Sequence, residues 1–208
     1  MRDNGRLGPI EWAAVGRPLP GEQVSGDQPI AIGIDDDAAL FGVLDGLGHG
    51  PAAARPALRA IDALKQAPGE RLEAVVQLCH RVLASTRGVA MTLARVDFGA
   101  GTLTWTGVGN VSANLVAKTS LGIQIRASAR LTAGIVGFRI PEIRPAQVVP
   151  IRAGDLLVMA TDGIDPDHVD GIDFAASATG IGEHILGEYA KGNDDAMVLT
   201  ARHRGAST

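Results

Sequence analysis

The apolar residues of this 208-residue chain change period twice, and that pattern restricts its fold more than any other feature. Up to Leu44 they form strand-like segments: Trp12-Ala13-Ala14-Val15-Gly16, Ile30-Ala31-Ile32-Gly33-Ile34 and residues 38–44. Pro18-Leu19-Pro20-Gly21 ends the first, and Asp35-Asp36-Asp37 joins the other two as a hairpin. Between residues 52 and 86 the spacing becomes three and four. Leu58, Ile61 and Leu64 mark a helix over 52–65, with Pro51 and Pro56 disturbing its first turn. After Pro68-Gly69, a more strongly amphipathic helix over 70–86 carries Leu72, Val75, Val76, Cys79, Val82 and Leu83. From Val89 the strand pattern returns as a meander over 89–96, 102–108 and 111–116, then as strands near 121–125, 148–151 and 155–160. A helix over 175–189 precedes a last strand at 196–201. Strands grouped early and late, with helices in two blocks, predict an α+β layered sandwich, because a βαβ wind would alternate the two. The two early helices should cover one face of a sheet.

The length suits one domain over residues 1–208, large enough to bury roughly 70% of its unfolded surface. With 46% apolar and 20% charged residues the chain is not of disordered composition, and with 3% aromatics its core must be aliphatic. A net charge of −4 argues against nucleic acid or an anionic membrane as the main partner, since both favour a basic surface. Met1-Arg2-Asp3-Asn4-Gly5-Arg6 lacks the apolar stretch of a secretion signal, and no run of ~18 apolar residues is present; the expectation is a cytoplasmic protein. The single cysteine, Cys79, has no partner for an internal disulfide and lies in a helix's apolar stripe, which predicts a packed thiol.

The residues able to carry chemistry gather at predicted strand ends. Asp45-Gly46-Leu47-Gly48-His49-Gly50 follows the apolar run 38–44 and precedes the first helix. An Asp there is a hard oxygen ligand for Mg²⁺ or Mn²⁺, glycine permits close backbone approach, and a helix N-terminus favours anions. Three further acids occupy comparable places: Asp27 after Ser25-Gly26, Asp162 between Thr161 and Gly163, and Asp194 after Gly192-Asn193. Asp45 and Asp162 each precede a glycine, which lets a carbonyl turn toward the same ion. Asp35-Asp36-Asp37 is a solvated turn, since nothing there brings its carboxylates onto one point. Asp165, Asp167, Asp170 and Asp173 do not make a calcium loop, because Val169 stands where an oxygen ligand is required; an acidic flap beside the cleft is expected instead. His80, His168, His184 and His203 lack zinc-ligand spacing and are expected to be surface or packing residues.

Taken together, Ser25-Gly26-Asp27, Asp45-Gly46-Leu47-Gly48-His49-Gly50, Arg87-Gly88-Val89-Ala90-Met91-Thr92, Gly107-Val108-Gly109-Asn110-Val111, Thr161-Asp162-Gly163-Ile164 and Asp194-Asp195-Ala196-Met197-Val198-Leu199 resemble the metal-dependent PPM-type serine/threonine protein phosphatases, in their SpoIIE-like branch. The resemblance covers nearly the whole chain. It implies a four-layer αββα sandwich with two antiparallel sheets and two divalent cations, Mn²⁺ or Mg²⁺. Asp45 would bridge both ions, the Gly46 carbonyl would touch one, and Asp27, Asp162 and Asp194 would complete the set, partly through waters. No protein nucleophile is implied, which agrees with serines and a cysteine that lack a base at recognisable spacing. His49 stands after Leu47-Gly48, where many members have Asp-Gly-His-Gly-Gly; it is carried over as the general acid, with hydrogen bonding to a ligand or plain exposure as alternatives. Asn110 replaces an Asp that helps hold a third metal in larger relatives, so that site should be weak or missing. Asp195 is expected to face solvent, with support of Asp194 as the alternative.

The short chain without a sensor domain, and its Asp-Gly-Leu-Gly form, are most similar to the RsbX-like stressosome phosphatases. The implied partners are phosphorylated STAS-domain stressosome proteins (RsbS/RsbR-like), met by a monomer. Two other readings stand beside this one. A PPM-fold binding module without catalysis would be expected to have lost at least one carboxylate, and all four are present. A nucleotide-binding protein would need Gly-x-Gly-x-x-Gly spacing or a Gly-Lys-Ser/Thr ending, and neither is found.

Overall fold

The run 38–44 is almost wholly apolar because it is buried on both faces. In the computed structural model, which describes residues 1–205, it lies in β4 (Ala38–Gly46), paired with β3 (Asp27–Ile34) on one side and β5 (Val89–Asp97) on the other. Successive side chains of a strand point to opposite faces. Leu40 and Leu44 therefore enter a core shared with helices, whereas Phe41 and Val43 enter one shared with a second sheet.

The helices are α1 (Gly50–Gln66) and α2 (Leu72–Val82), which press Ala57, Ile61, Leu64, Leu72, Val75 and Val76 onto the outer face of that sheet. The first buries Ile61 and Leu64 of its predicted stripe but leaves Leu58 48% exposed, and the second is shorter than the helix expected over 70–86. Helix α1 starts earlier than its apolar spacing predicts, because Pro51 sits in the first turn, where the N–H it lacks has no helical partner to lose. Cys79 of α2 is fully buried, and burial pushes its thiol up to about 12. A thiol reagent such as DTNB in mildly alkaline buffer is therefore expected to leave native protein unmodified and to titrate one thiol only after denaturation. Rapid native reaction would contradict this packing.

The remaining strands are β1 (Arg2–Leu7), β2 (Ile10–Arg17), β6 (Thr102–Val108), β7 (Ser112–Thr119), β8 (Gly122–Ser128), β9 (Leu131–Thr132), β10 (Gln147–Pro150), β11 (Leu156–Ala160) and β12 (Ala196–His203). One sheet runs β10-β6-β5-β4-β3, with β9 lying parallel to β6; the other runs β1-β2-β12-β11-β7-β8 and is antiparallel throughout. Trp105, Phe41, Leu115, Met159 and Leu199 fill the space between them. Helix α3 (Ala178–Tyr189) covers the second sheet, packing Ile181 and Ile185 against Val15, Val158 and Val198. Ser177 caps it by accepting from Gly180 N at 3.1 Å, so residues 175–177 lie outside the helix expected over 175–189. The layers are helix, sheet, sheet, helix, as the family resemblance implies.

Two strand expectations are corrected. The meander over 89–116 breaks after β6, whose free edge is taken by β10 and β9, and the next strand, β7, pairs in the other sheet with β8 and β11. The crossing is made at Gly109, at φ +99°, where a Cβ would come 2.4 Å from that of Ala90. Strand β1, unforeseen in the sequence, pairs along β2 although its residues are mostly exposed and polar. Among the described residues no helix is long and apolar enough to cross a membrane.

Candidate active site

Antiparallel pairing carries four acids from distant parts of the chain to one end of both sheets. Strand β3 starts where β4 ends, so Asp27 and Asp45 are register partners. In the other sheet β11 ends where β12 begins, with Ala160 opposite Val198; Asp162 follows the one strand and Asp194 precedes the other. Thr161 ties the two sheets together here. Its hydroxyl donates to Asp27 Oδ2 at 2.8 Å and accepts from Met197 N at 3.0 Å. The sequence gives no sign of this role, because a threonine beside a candidate ligand is an ordinary neighbour.

Asp45, His49, Asp162 and Asp194 line a cleft of about 510 Å³, together with Asn110 and Asn193. Asp27, at 1% exposure, lies behind Asp45 and does not line the open wall. Gly46 is also buried, and its carbonyl lies against Gly26. A Cβ on Gly46 would come within 2.0 Å of Ala53 O, and one on Gly163 within 1.8 Å of Asp195 O. Close backbone packing thus requires glycine at both positions, whatever their carbonyls bind.

The carboxylates disturb one another. Burial, then the charge of Asp45, then those of Asp195 and Asp194, push the Asp27 carboxyl well above its ordinary range against the pull of the Thr161 hydroxyl. Asp45 rises as well, through burial and the charges of Asp162, Asp194 and Asp195. Burial also raises Asp194, which His49 opposes electrostatically. Such mutual repulsion, in all-oxygen surroundings, suits hard divalent cations, which would favour the ionised forms. Among the described residues no three acidic, His or Cys side chains already close into a cage, so part of any ion's shell would fall to water and substrate oxygens. Asn110 donates its Nδ2 to Asp162 Oδ2 at 2.7 Å and orients that carboxylate. Lys191 Nζ donates to the Asp162 carbonyl at 2.8 Å.

His49 is the extended residue that opens α1, half exposed, with Nδ1 2.7 Å from Glu22 Oε1. Glu22 went unnoticed in the sequence because it lies 27 positions away in an unremarkable loop. Its other oxygen hangs over the start of α1: a Cβ on Gly50 would lie 2.8 Å from Oε2.

Asp195 corrects the expectation of solvent exposure. At 3% exposure it accepts from Leu19 N at 2.6 Å and Gly26 N at 2.7 Å, tying the loop that precedes Asp27 to the start of β12. A carboxylate can be buried where backbone amides satisfy it. The acidic loop after Asp162 does expose Asp167, Asp170 and Asp173, but Val169, Ile172 and Phe174 anchor it in the core under α3. The other histidines are packing or surface residues: His80 Nδ1 accepts from Gly137 N at 2.9 Å, His168 is buried with Nδ1 on Asp165 O, the exposed His184 meets Tyr189 edge-on, and His203 lies in β12.

The family model for stage II sporulation protein E (SpoIIE) matches residues 35–204. Phosphoserine phosphatase RsbX of Bacillus subtilis (strain 168) is 26% identical over 91 residues, 44% of this chain and 45% of that protein. The matched segment is thus less than half of that relative's length. A solved structure described as "The bacterial stressosome: a modular system that has been adapted to control secondary messenger signaling" superposes at TM-score 0.82 with 30% identity, covering 93% of this chain and 99% of the other. RsbX in complex with magnesium superposes at TM-score 0.79 over 97% of this chain and 98% of its own, but at 19% identity that likeness concerns the fold, which is the PPM phosphatase fold.

Proposed function

We propose, on the premise that this chain belongs to the stage II sporulation protein E family, that it is a metal-dependent phosphatase acting on phosphoserine and phosphothreonine in a partner protein. The carrying observation is the crowding of Asp27, Asp45, Asp162 and Asp194 at one end of the paired sheets, where burial and mutual charge raise the carboxyls of Asp27, Asp45 and Asp194. Asp45, which lines the cleft in front of the buried Asp27, would hold the cations together with Asp27, Asp162, Asp194 and the Gly46 carbonyl. Two divalent cations, Mn²⁺ or Mg²⁺, would supply Lewis acidity and an activated water when bound. Glu22 holds Nδ1 of His49 and leaves Nε2 for the cleft, where it gives a proton to the departing seryl or threonyl oxygen. By likeness to RsbX and to a stressosome structure, the substrates are phosphorylated STAS-domain stressosome proteins.

Hydrolysis of p-nitrophenyl phosphate and of a phosphorylated STAS-domain protein should require added Mn²⁺ or Mg²⁺. No metal-dependent turnover on either would overturn the phosphatase reading. The two esters also isolate His49. Nitrophenolate departs without a proton, so His49→Gln should lower kcat/KM about 100-fold on the phosphoseryl substrate but less than about 10-fold on the aryl ester. Glu22→Gln should follow in the same direction to a smaller extent. Equal losses on both esters would remove His49 as proton donor.

A further inference from the structure

We propose, resting on the phosphatase reading, that Arg87 grips the phosphoryl group of the incoming phosphomonoester at the cleft entrance. Two loops meet there. Leu47 N donates to Gly88 O at 3.3 Å, which holds the turn between α2 and β5 against the one between β4 and α1. The exposed Arg87 side chain consequently lies over Gly48: a Cβ there would be 3.2 Å from Arg87 Nη1. Gly48, at φ +95°, lines the cleft beside Asp45 and His49, and its bare backbone leaves the guanidinium room at the rim.

The charge pattern gives this placement its meaning. The cleft walls carry Asp45, Asp162 and Asp194, and a phosphomonoester is itself an anion. Of the cations near them, Lys191 is bonded to the Asp162 carbonyl and His49 faces Glu22. Arg87 has neither a hydrogen bond nor an ion pair among the described residues. Its planar fork matches two phosphoryl oxygens at once, which a lysine's point charge does not. A charged side chain at the rim of an acidic cleft, without a protein partner among the described residues, is suited to a partner that arrives with the substrate, and that leaves again as inorganic phosphate.

The test compares wild type with Arg87→Ala and Arg87→Lys in kcat/KM for p-nitrophenyl phosphate, in inhibition by inorganic phosphate, and in Mg²⁺ affinity by calorimetry. Arg87→Ala should lower kcat/KM about 10- to 100-fold and weaken phosphate inhibition in parallel, with Arg87→Lys between it and wild type and Mg²⁺ affinity unchanged. Unchanged phosphate inhibition in Arg87→Ala overturns the proposal, whether or not turnover falls. Should wild type hydrolyse no ester, the phosphatase reading fails by itself; calorimetric binding of inorganic phosphate to the Mg²⁺-equilibrated proteins still decides the role of Arg87, with equal affinity in wild type and Arg87→Ala counting against it.

Discussion

Asp45→Asn is expected to lower metal-dependent kcat/KM about 1,000-fold or more while leaving the metal-free fold as stable as wild type or more stable, by about 1–3 kcal/mol. The two effects have one origin. Burial and the charges of Asp162, Asp194 and Asp195 raise the Asp45 carboxyl. An acid whose pKa is raised by folding withdraws stability once the pH exceeds its unfolded value, so near neutrality a neutral amide of the same shape removes a penalty. The same amide is a poor ligand for a divalent cation, because it brings one oxygen and no charge. Added Mg²⁺ should therefore raise the melting temperature of wild type by binding only the folded state, and raise that of Asp45→Asn little. Thermal unfolding of both proteins with and without Mg²⁺ checks this. A variant that melts well below wild type in the absence of metal would show that Asp45 serves the fold rather than the site.

The four candidate ligands were legible because each sits in a short local signature. Asp45 and Asp162 end apolar runs and precede glycines, and strand alternation then fixes where the ends of β3, β4, β11 and β12 fall. Residues whose work depends on distant partners left no such mark. Thr161 acts across 134 positions on Asp27, and Asp195 across 169 on Gly26. Asn110 differs in kind: its local sequence marks it only as a ligand lost, since nothing local shows that it orients Asp162. Strand β1 was hidden because an exposed edge strand needs no apolar alternation. The change of sheet between β6 and β7 was hidden because period two identifies a strand without saying which neighbours it has. Gly109 was visible as a residue, but its meaning depended on Ala90 behind it.

Asp195→Ala should destabilise the fold by about 2–5 kcal/mol and lower activity with it. The Asp195 side chain accepts from Leu19 N and Gly26 N inside the protein, and its loss strands both donors at about 1–3 kcal/mol each. An opposing effect exists, since Asp195 is among the charges that raise Asp27 and Asp45, and removing it relieves repulsion. Asp195 is not the strongest of those charges, since Asp45 acts more strongly on Asp27, and both Asp162 and Asp194 act more strongly on Asp45, so the relief is expected to offset only part of the loss. Asp195→Asn separates the two contributions. It removes the charge but keeps one acceptor oxygen, and turns an NH₂ toward the second backbone N–H, so its stability should fall between wild type and Asp195→Ala. Activity should drop in Asp195→Ala, because Gly26 immediately precedes Asp27 and loses its tether to the start of β12, and less in Asp195→Asn. Urea unfolding at constant m checks the ranking, and a loss below about 0.5 kcal/mol in Asp195→Ala would refute the structural role. Repeating it with Mg²⁺ sharpens the comparison: bound cations neutralise the repulsion that Asp195→Ala relieves, so the deficit against wild type should widen when the metal is present.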